Sequence, residues 1–156
     1  MIGISTYCLI EEPLVEALDR LSTHVGFLEA MDEGLHSVTS PELFGSYSAA
    51  FSIHAPFHGL NIASVFEPIR TASVGVITGC FAVAAEIGAP VVLHPGYFAW
   101  ENERELADRQ FRQSLRELNA AARTHLSSRS RFRICVSTEI FPPVQTGRVS
   151  PTENAS

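Results

Sequence analysis

The stretch Val91-Val92-Leu93-His94-Pro95-Gly96 decides the fold. Three apolar residues, two of them β-branched, run without a polar break. A histidine follows at once, and Pro-Gly ends the run. Such an unbroken run reads as a strand covered on both faces, as in a parallel sheet. Gly88-Ala89-Pro90 stops the preceding helical pattern just before it. His94 therefore stands at the carboxyl end of a buried parallel strand, where α/β folds collect their chemistry.

Working outward, the same unit recurs. Phe51-Ser52-Ile53-His54-Ala55-Pro56 is another strand with a histidine at its end and a proline that stops pairing. Between the two, Pro68 opens what reads as the longest helix. Its buried face is Ile69, Ser73, Val76, Ile77, Cys80, Phe81, Ala84 and Ile87, and Gly88 supplies the left-handed C-terminal position.

Towards the N-terminus, residues 1–6 form a first short strand. Pro13 opens a helix with Leu14, Leu18 and Leu21 on one face. Residues 25–29 are a second strand with Glu29 at its end. Residues 31–36 read as a polar loop, with Asp32 and Glu33 solvated. Ser40-Pro41-Glu42 starts a helix that Gly45 keeps short.

Towards the C-terminus, Glu101, Glu103 and Glu105 crowd a helix start, where carboxylates meet the positive end of the helix dipole. Phe111, Leu115, Leu118 and Ala122 continue its apolar face. Residues 132–136 are a fifth strand, with Glu139 just beyond. From Pro142 the periodicity is lost. The expected plan is one α/β domain over residues 1–141, a partial (β/α) barrel of about five parallel strands, with an irregular tail over 142–156.

Composition bounds the function. The 156 residues are 46% hydrophobic and 18% charged, values of a globular chain rather than a disordered one. A net charge of -6 disfavours broad electrostatic binding to nucleic acid or to an anionic membrane. Cys8, Cys80 and Cys135 sit in apolar segments and read as three reduced core thiols of a cytoplasmic protein. The apolar run from Val74 to Ala85 is too short for a membrane span.

The residues around the two histidines resemble a family. Phe51 to Phe57, with Asn61-Ile62-Ala63 after it, is similar to the third-strand motif of the xylose isomerase-like barrels. That superfamily includes endonuclease IV and many sugar isomerases and epimerases. Val92-Leu93-His94-Pro95-Gly96 resembles its fourth-strand motif, and residues 28–36 its second-strand end. The resemblance runs from about Ile2 to Glu139.

It implies that His54 and His94 bind a divalent metal, zinc or manganese. Glu139 would be the fifth-strand ligand and a catalytic carboxylate, although Ile140 stands where the family has asparagine. Glu29 is the second expected catalytic carboxylate, at the barrel mouth. A complete barrel of this type needs eight βα units and about 250 residues. The chain supplies five strands and reads as a barrel truncated after the fifth.

The function so implied is a relative of sugar phosphate isomerases and epimerases, of weak or no activity as an isolated chain. Its partner would be a small sugar or sugar phosphate. Rival readings are a metal-dependent phosphodiesterase of the endonuclease IV type (AP endonuclease family 2) and a non-catalytic half-barrel assembly module. The open sheet implies a homo-oligomer, a dimer first. Arg123, Arg129, Arg131 and Arg133 read as a solubilising surface at the end opposite His54 and His94. Tyr97 and Trp100 follow His94 and are either a stacking surface or packing.

Overall fold

The computed structural model describes residues 2–125 and 133–136. Strands β1 (Ile4–Ser5), β2 (Phe27–Met31), β3 (Ala50–His54), β4 (Val91–Leu93) and β5 (Ile134–Val136) form one sheet in sequence order. Every neighbouring pair is parallel. Helices α1 (Leu14–Ser22), α2 (Glu67–Ile77), α3 (Phe81–Ile87) and α4 (Arg104–Thr124) lie between the strands. The α/β fold expected from the alternation of strand and helix patterns is thus the fold observed.

The core explains why all four helices share one side of the sheet. Leu28, Ala30, Ile53, Val91 and Leu93 occupy every second position of their strands and point to that side. There they pack against Leu14 and Leu18 of α1, Val74 and Ile77 of α2, Phe81 and Ala84 of α3, and Leu118 of α4. Residues in register on the opposite face are Ser5, Glu29 and Ser52, then His54 and Val92, then Cys135. The open-sheet reading makes Ile4, Ile53, Leu93 and Ile134 its bare inner wall. Instead Ile53 and Leu93 are fully buried under the helices, and the helix-free face mixes Ser5, Glu29, Ser52 and His54 with Phe27, Met31 and Val92.

Four local readings change. No α-helix forms between β2 and β3, only 3-10 turns at Gly34–His36 and Phe44–Ser46; so short a segment cannot repay helix nucleation. The Pro68 helix breaks at a 3-10 turn, Thr78–Cys80, and α4 is the longest helix. Taken together, Glu67–Ile87 is long and apolar enough to cross a membrane by length and composition, yet half of it is buried within the fold. Cys80 alone is a core thiol, pushed up to about 12 by desolvation, while Cys8 and Cys135 are exposed.

A buried clamp joins α2 to α4. Arg70 donates to both carboxylates, Glu67 and Glu117, and to Ser114 Oγ at 2.9 Å. Ser114 in turn donates to the Ile62 carbonyl at 2.7 Å. The loop after β3 is therefore pinned to α4 from below.

Candidate functional site

β3 and β4 deliver His54 and His94 to the same end of the sheet. Their ring centroids lie 4.9 Å apart with the planes tilted by 50°. Phe57 completes a triangle of rings, 5.4 Å from His54 and 4.8 Å from His94. Sequence reading missed Phe57; nothing in the local pattern of a post-strand loop says which way its aromatic turns.

The tautomer of His54 follows from its partner. Its Nδ1 lies 2.9 Å from the Ala55 carbonyl, which only accepts, so Nδ1 donates and Nε2 is the nitrogen whose lone pair the neutral ring offers. A metal-ligating histidine commonly commits its other nitrogen in this way. Two imidazoles sharing one tetrahedral zinc, with Zn–N near 2.0–2.1 Å, place their centroids about 5 Å apart. The observed spacing matches, so the two histidines fit such a metal. Among the described residues they are joined by no third histidine, cysteine or carboxylate to make a ligand set of three. Glu139 lies outside the described residues, as do residues 142–156 and Arg129 and Arg131.

Glu29 is not at a strand end. β2 continues through Ala30 and Met31, because Met31 pairs in register with His54. Glu29 pairs with Ser52 and so sits two residues, about 7 Å, below the level of His54. It remains on the helix-free face, half-buried.

The loop after β2 is built into the site rather than solvated. Asp32 is buried; its N–H donates to the His54 carbonyl at 2.9 Å and its Oδ1 accepts from Val38 N–H at 2.7 Å. Burial pushes its carboxyl above the usual range, the Val38 bond opposes this, and the neighbouring Glu33 charge adds to it. Glu33 Oε1 accepts from the N–H groups of Phe57 and His58, each at 2.6 Å, and so holds the loop that carries both rings. His36 is wholly buried. Its Nε2 donates to the Glu12 carbonyl at 2.8 Å, which leaves Nδ1 to accept from Thr6 Oγ1 at 3.0 Å. Acidic residues in a polar sequence read as solvated; only tertiary contacts reveal these partners.

Phe57, His58, Leu60, His94 and Tyr97 line a cleft of about 250 Å³, which His54 does not reach. Ligand pockets commonly run about 300–1,000 Å³, so this cleft is smaller than a usual complete one. Tyr97 and Trp100 are exposed beside it. At the opposite end of the sheet, Arg133 precedes β5 and its carbonyl accepts from Val91 N–H at 2.8 Å. Arg133 is exposed and remote from the histidines, as expected of a surface residue.

No protein-family model matches the chain. Two curated proteins of Methanocaldococcus jannaschii are similar to it. The uncharacterized protein MJ1614 is 32% identical over 124 residues, which is 76% of this chain and 49% of that protein. The uncharacterized protein MJ1311 is 31% identical over 123 residues, 70% of this chain and 41% of that one. The chain spans about half the length of the curated relatives it matches. Among solved structures, a D-tagatose 3-epimerase-like protein superposes with a TM-score of 0.72 at 27% identity, covering 86% of this chain and 51% of that one. A D-psicose 3-epimerase in the presence of D-fructose superposes with a TM-score of 0.62 at 8% identity, covering 86% and 50%, a likeness of fold alone. These neighbours are TIM barrels, and the likeness supports the xylose isomerase-like superfamily for this chain.

Proposed function

We propose that this chain forms the metal-holding part of a sugar isomerase or epimerase barrel, with His54 and His94 as ligands. The observation that carries this reading is the pair of strand-end imidazoles 4.9 Å apart, with His54 Nδ1 committed to a backbone carbonyl. A divalent metal there, zinc or manganese, would polarise a sugar carbonyl or hydroxyl. Glu29 is the carboxylate assigned to take the substrate proton, with Glu139 a further ligand and acid–base group. Phe57 walls the histidines with apolar surface, and the cleft beside His94 would receive part of a small sugar or sugar phosphate. The net charge of -6 weighs against the phosphodiesterase alternative.

Two imidazoles, or three ligands with Glu139, are fewer than a closed zinc site uses. Binding by this chain alone is therefore weak, and its turnover of sugars feeble. Calorimetric titration with zinc is expected to show one weak site that disappears in the His54→Ala/His94→Ala double variant. Identical uptake by both proteins would sink the assignment.

We also propose self-association. Among the described residues β1 pairs only with β2 and β5 only with β4, so the outer edge of each offers backbone donors and acceptors. Light scattering at micromolar concentration is expected to give a mass above the 17.0 kDa of one chain. A mass of one chain across that range would count against the dimer.

A further inference from the structure

We propose that Asn61 is a positioning residue that fixes where His94 stands relative to His54; its purpose rests on the metal reading above, but its geometry does not. The β4 ladder gives its last bond towards β3 from Ala55 N–H to the Val92 carbonyl, 2.9 Å. His94 follows the strand, then Pro95, then Gly96 in the left-handed region at φ 87°. Three residues after His94, the Asn61 side chain grips both sides of one residue. Nδ2 donates to the Tyr97 carbonyl at 2.8 Å, and Oδ1 accepts from Tyr97 N–H at 3.1 Å.

Only one orientation of the amide satisfies both bonds. Aspartate would set a carboxylate oxygen against the Tyr97 carbonyl, and glutamine carries the amide one carbon too far.

The grip is itself anchored. Asn61 N–H donates to Ser73 Oγ on α2 at 2.9 Å, and Ser73 Oγ donates to the Ile69 carbonyl at 2.8 Å. Oδ1 also accepts from Ala63 N–H at 3.0 Å, which stiffens the loop against the helix. The next residue, Ile62, is held from α4 by Ser114. Asn61 is buried, so water competes poorly for these bonds. The strand fixes the chain before His94 and Asn61 fixes it after, which sets where the His94 backbone stands relative to His54. Losing a group bonded to a ligand itself commonly costs about 10–100-fold in metal affinity; Asn61 acts one step further out, through the backbone at Tyr97, so its loss should cost less.

The test uses Asn61→Ala and Asn61→Asp, with two readouts. The first needs no metal. The His94 ring protons lie in the ring current of Phe57, 4.8 Å away, and should sit well away from solvent-exposed histidine positions. In both variants they should move towards those positions, and Tyr97 N–H should exchange faster. Exchange at Ile53 and Val91 should stay slow, which separates a local release from global unfolding. The second readout is zinc titration, where the variants should bind more weakly than wild type, by up to about 10-fold, the low end for a group supporting a ligand. Unchanged His94 shifts with unchanged Tyr97 exchange overturn the proposal, as does released Tyr97 with undiminished zinc affinity. If wild type takes up no zinc, the metal reading falls and the His94 shifts alone decide whether Asn61 holds the ring. Should Asn61→Ala fail to fold, Asn61→Asp carries the same readouts.

Discussion

Replacing Arg70 with methionine is expected to lower the melting temperature by about 5–10 °C at neutral pH. The guanidinium is 2% exposed and bonded to two carboxylates and a buried serine hydroxyl. Removing one partner of a buried ion pair commonly costs about 3–5 kcal/mol. Glu67 and Glu117 reach solvent and can rehydrate, so a figure of about 2–3 kcal/mol is more apt. Methionine keeps most of the stem's packing, which confines the loss to the polar head.

The pH dependence gives the sharper check. Hydrogen bonds from Arg70 hold both glutamates below their ordinary value of 4.5. A carboxylate depressed on folding contributes stability that is full above its unfolded value and lost as pH falls through its folded one. The gap between wild type and Arg70→Met should therefore be widest near pH 7 and shrink below pH 4.5. Thermal melts at neutral pH and at about pH 3 measure it. An equal gap at both would mean that packing, not the ion pairs, is what Arg70 supplies.

What the sequence disclosed and what it withheld divide along physical lines. Buried apolar runs and the proline and glycine stops beside them are local signals, so the strands ending at His54 and His94 were legible to within a residue or two. Parallel order followed from the intervening helices. Strand ends were less legible: Glu29 looked terminal because the pairing of Met31 with His54 depends on the neighbouring strand. The face of the sheet was misjudged for the same kind of reason. Alternation reveals two faces but not which one the helices take, and the wholly apolar Val91–Leu93 run gives no alternation at all.

The site's supporting residues were the least visible. Asp32 and Glu33 look like solvated charges in any window of sequence. Their partners, Val38 and the Phe57–His58 amides, come from other loops. Asn61 was legible only as part of a motif, and its work is done on Tyr97, far along the chain. Polar residues that organise a site through distant backbone carry no periodicity, so composition and spacing pass over them.

Gly96→Ala is expected to be the most damaging alanine substitution among the described glycines. At φ 87° an alanine carries left-handed strain, worth about 1–2 kcal/mol. At this position it also lacks room. An added Cβ would overlap Asn61 Oδ1 and stand 2.9 Å from Ala63 N and 3.1 Å from Ala63 Cβ. Relief would push the Asn61 amide off Tyr97, and each buried polar group left unpaired costs about 1–3 kcal/mol. Together these give a loss of about 3–5 kcal/mol. Gly88→Ala supplies the control: Gly88 is left-handed too, at φ 68°, but a Cβ there meets nothing within 4 Å. It should lose only the strain, about 1–2 kcal/mol. Urea titrations at constant slope would read both. The double variant Asn61→Ala/Gly96→Ala completes the argument, because removing the Asn61 amide removes the shortest contact and leaves only those to Ala63. Its loss should fall well short of the sum of the two single losses. If Gly96→Ala costs no more than Gly88→Ala, or the two losses simply add, the close approach of Gly96 to Asn61 does not hold the His94 loop.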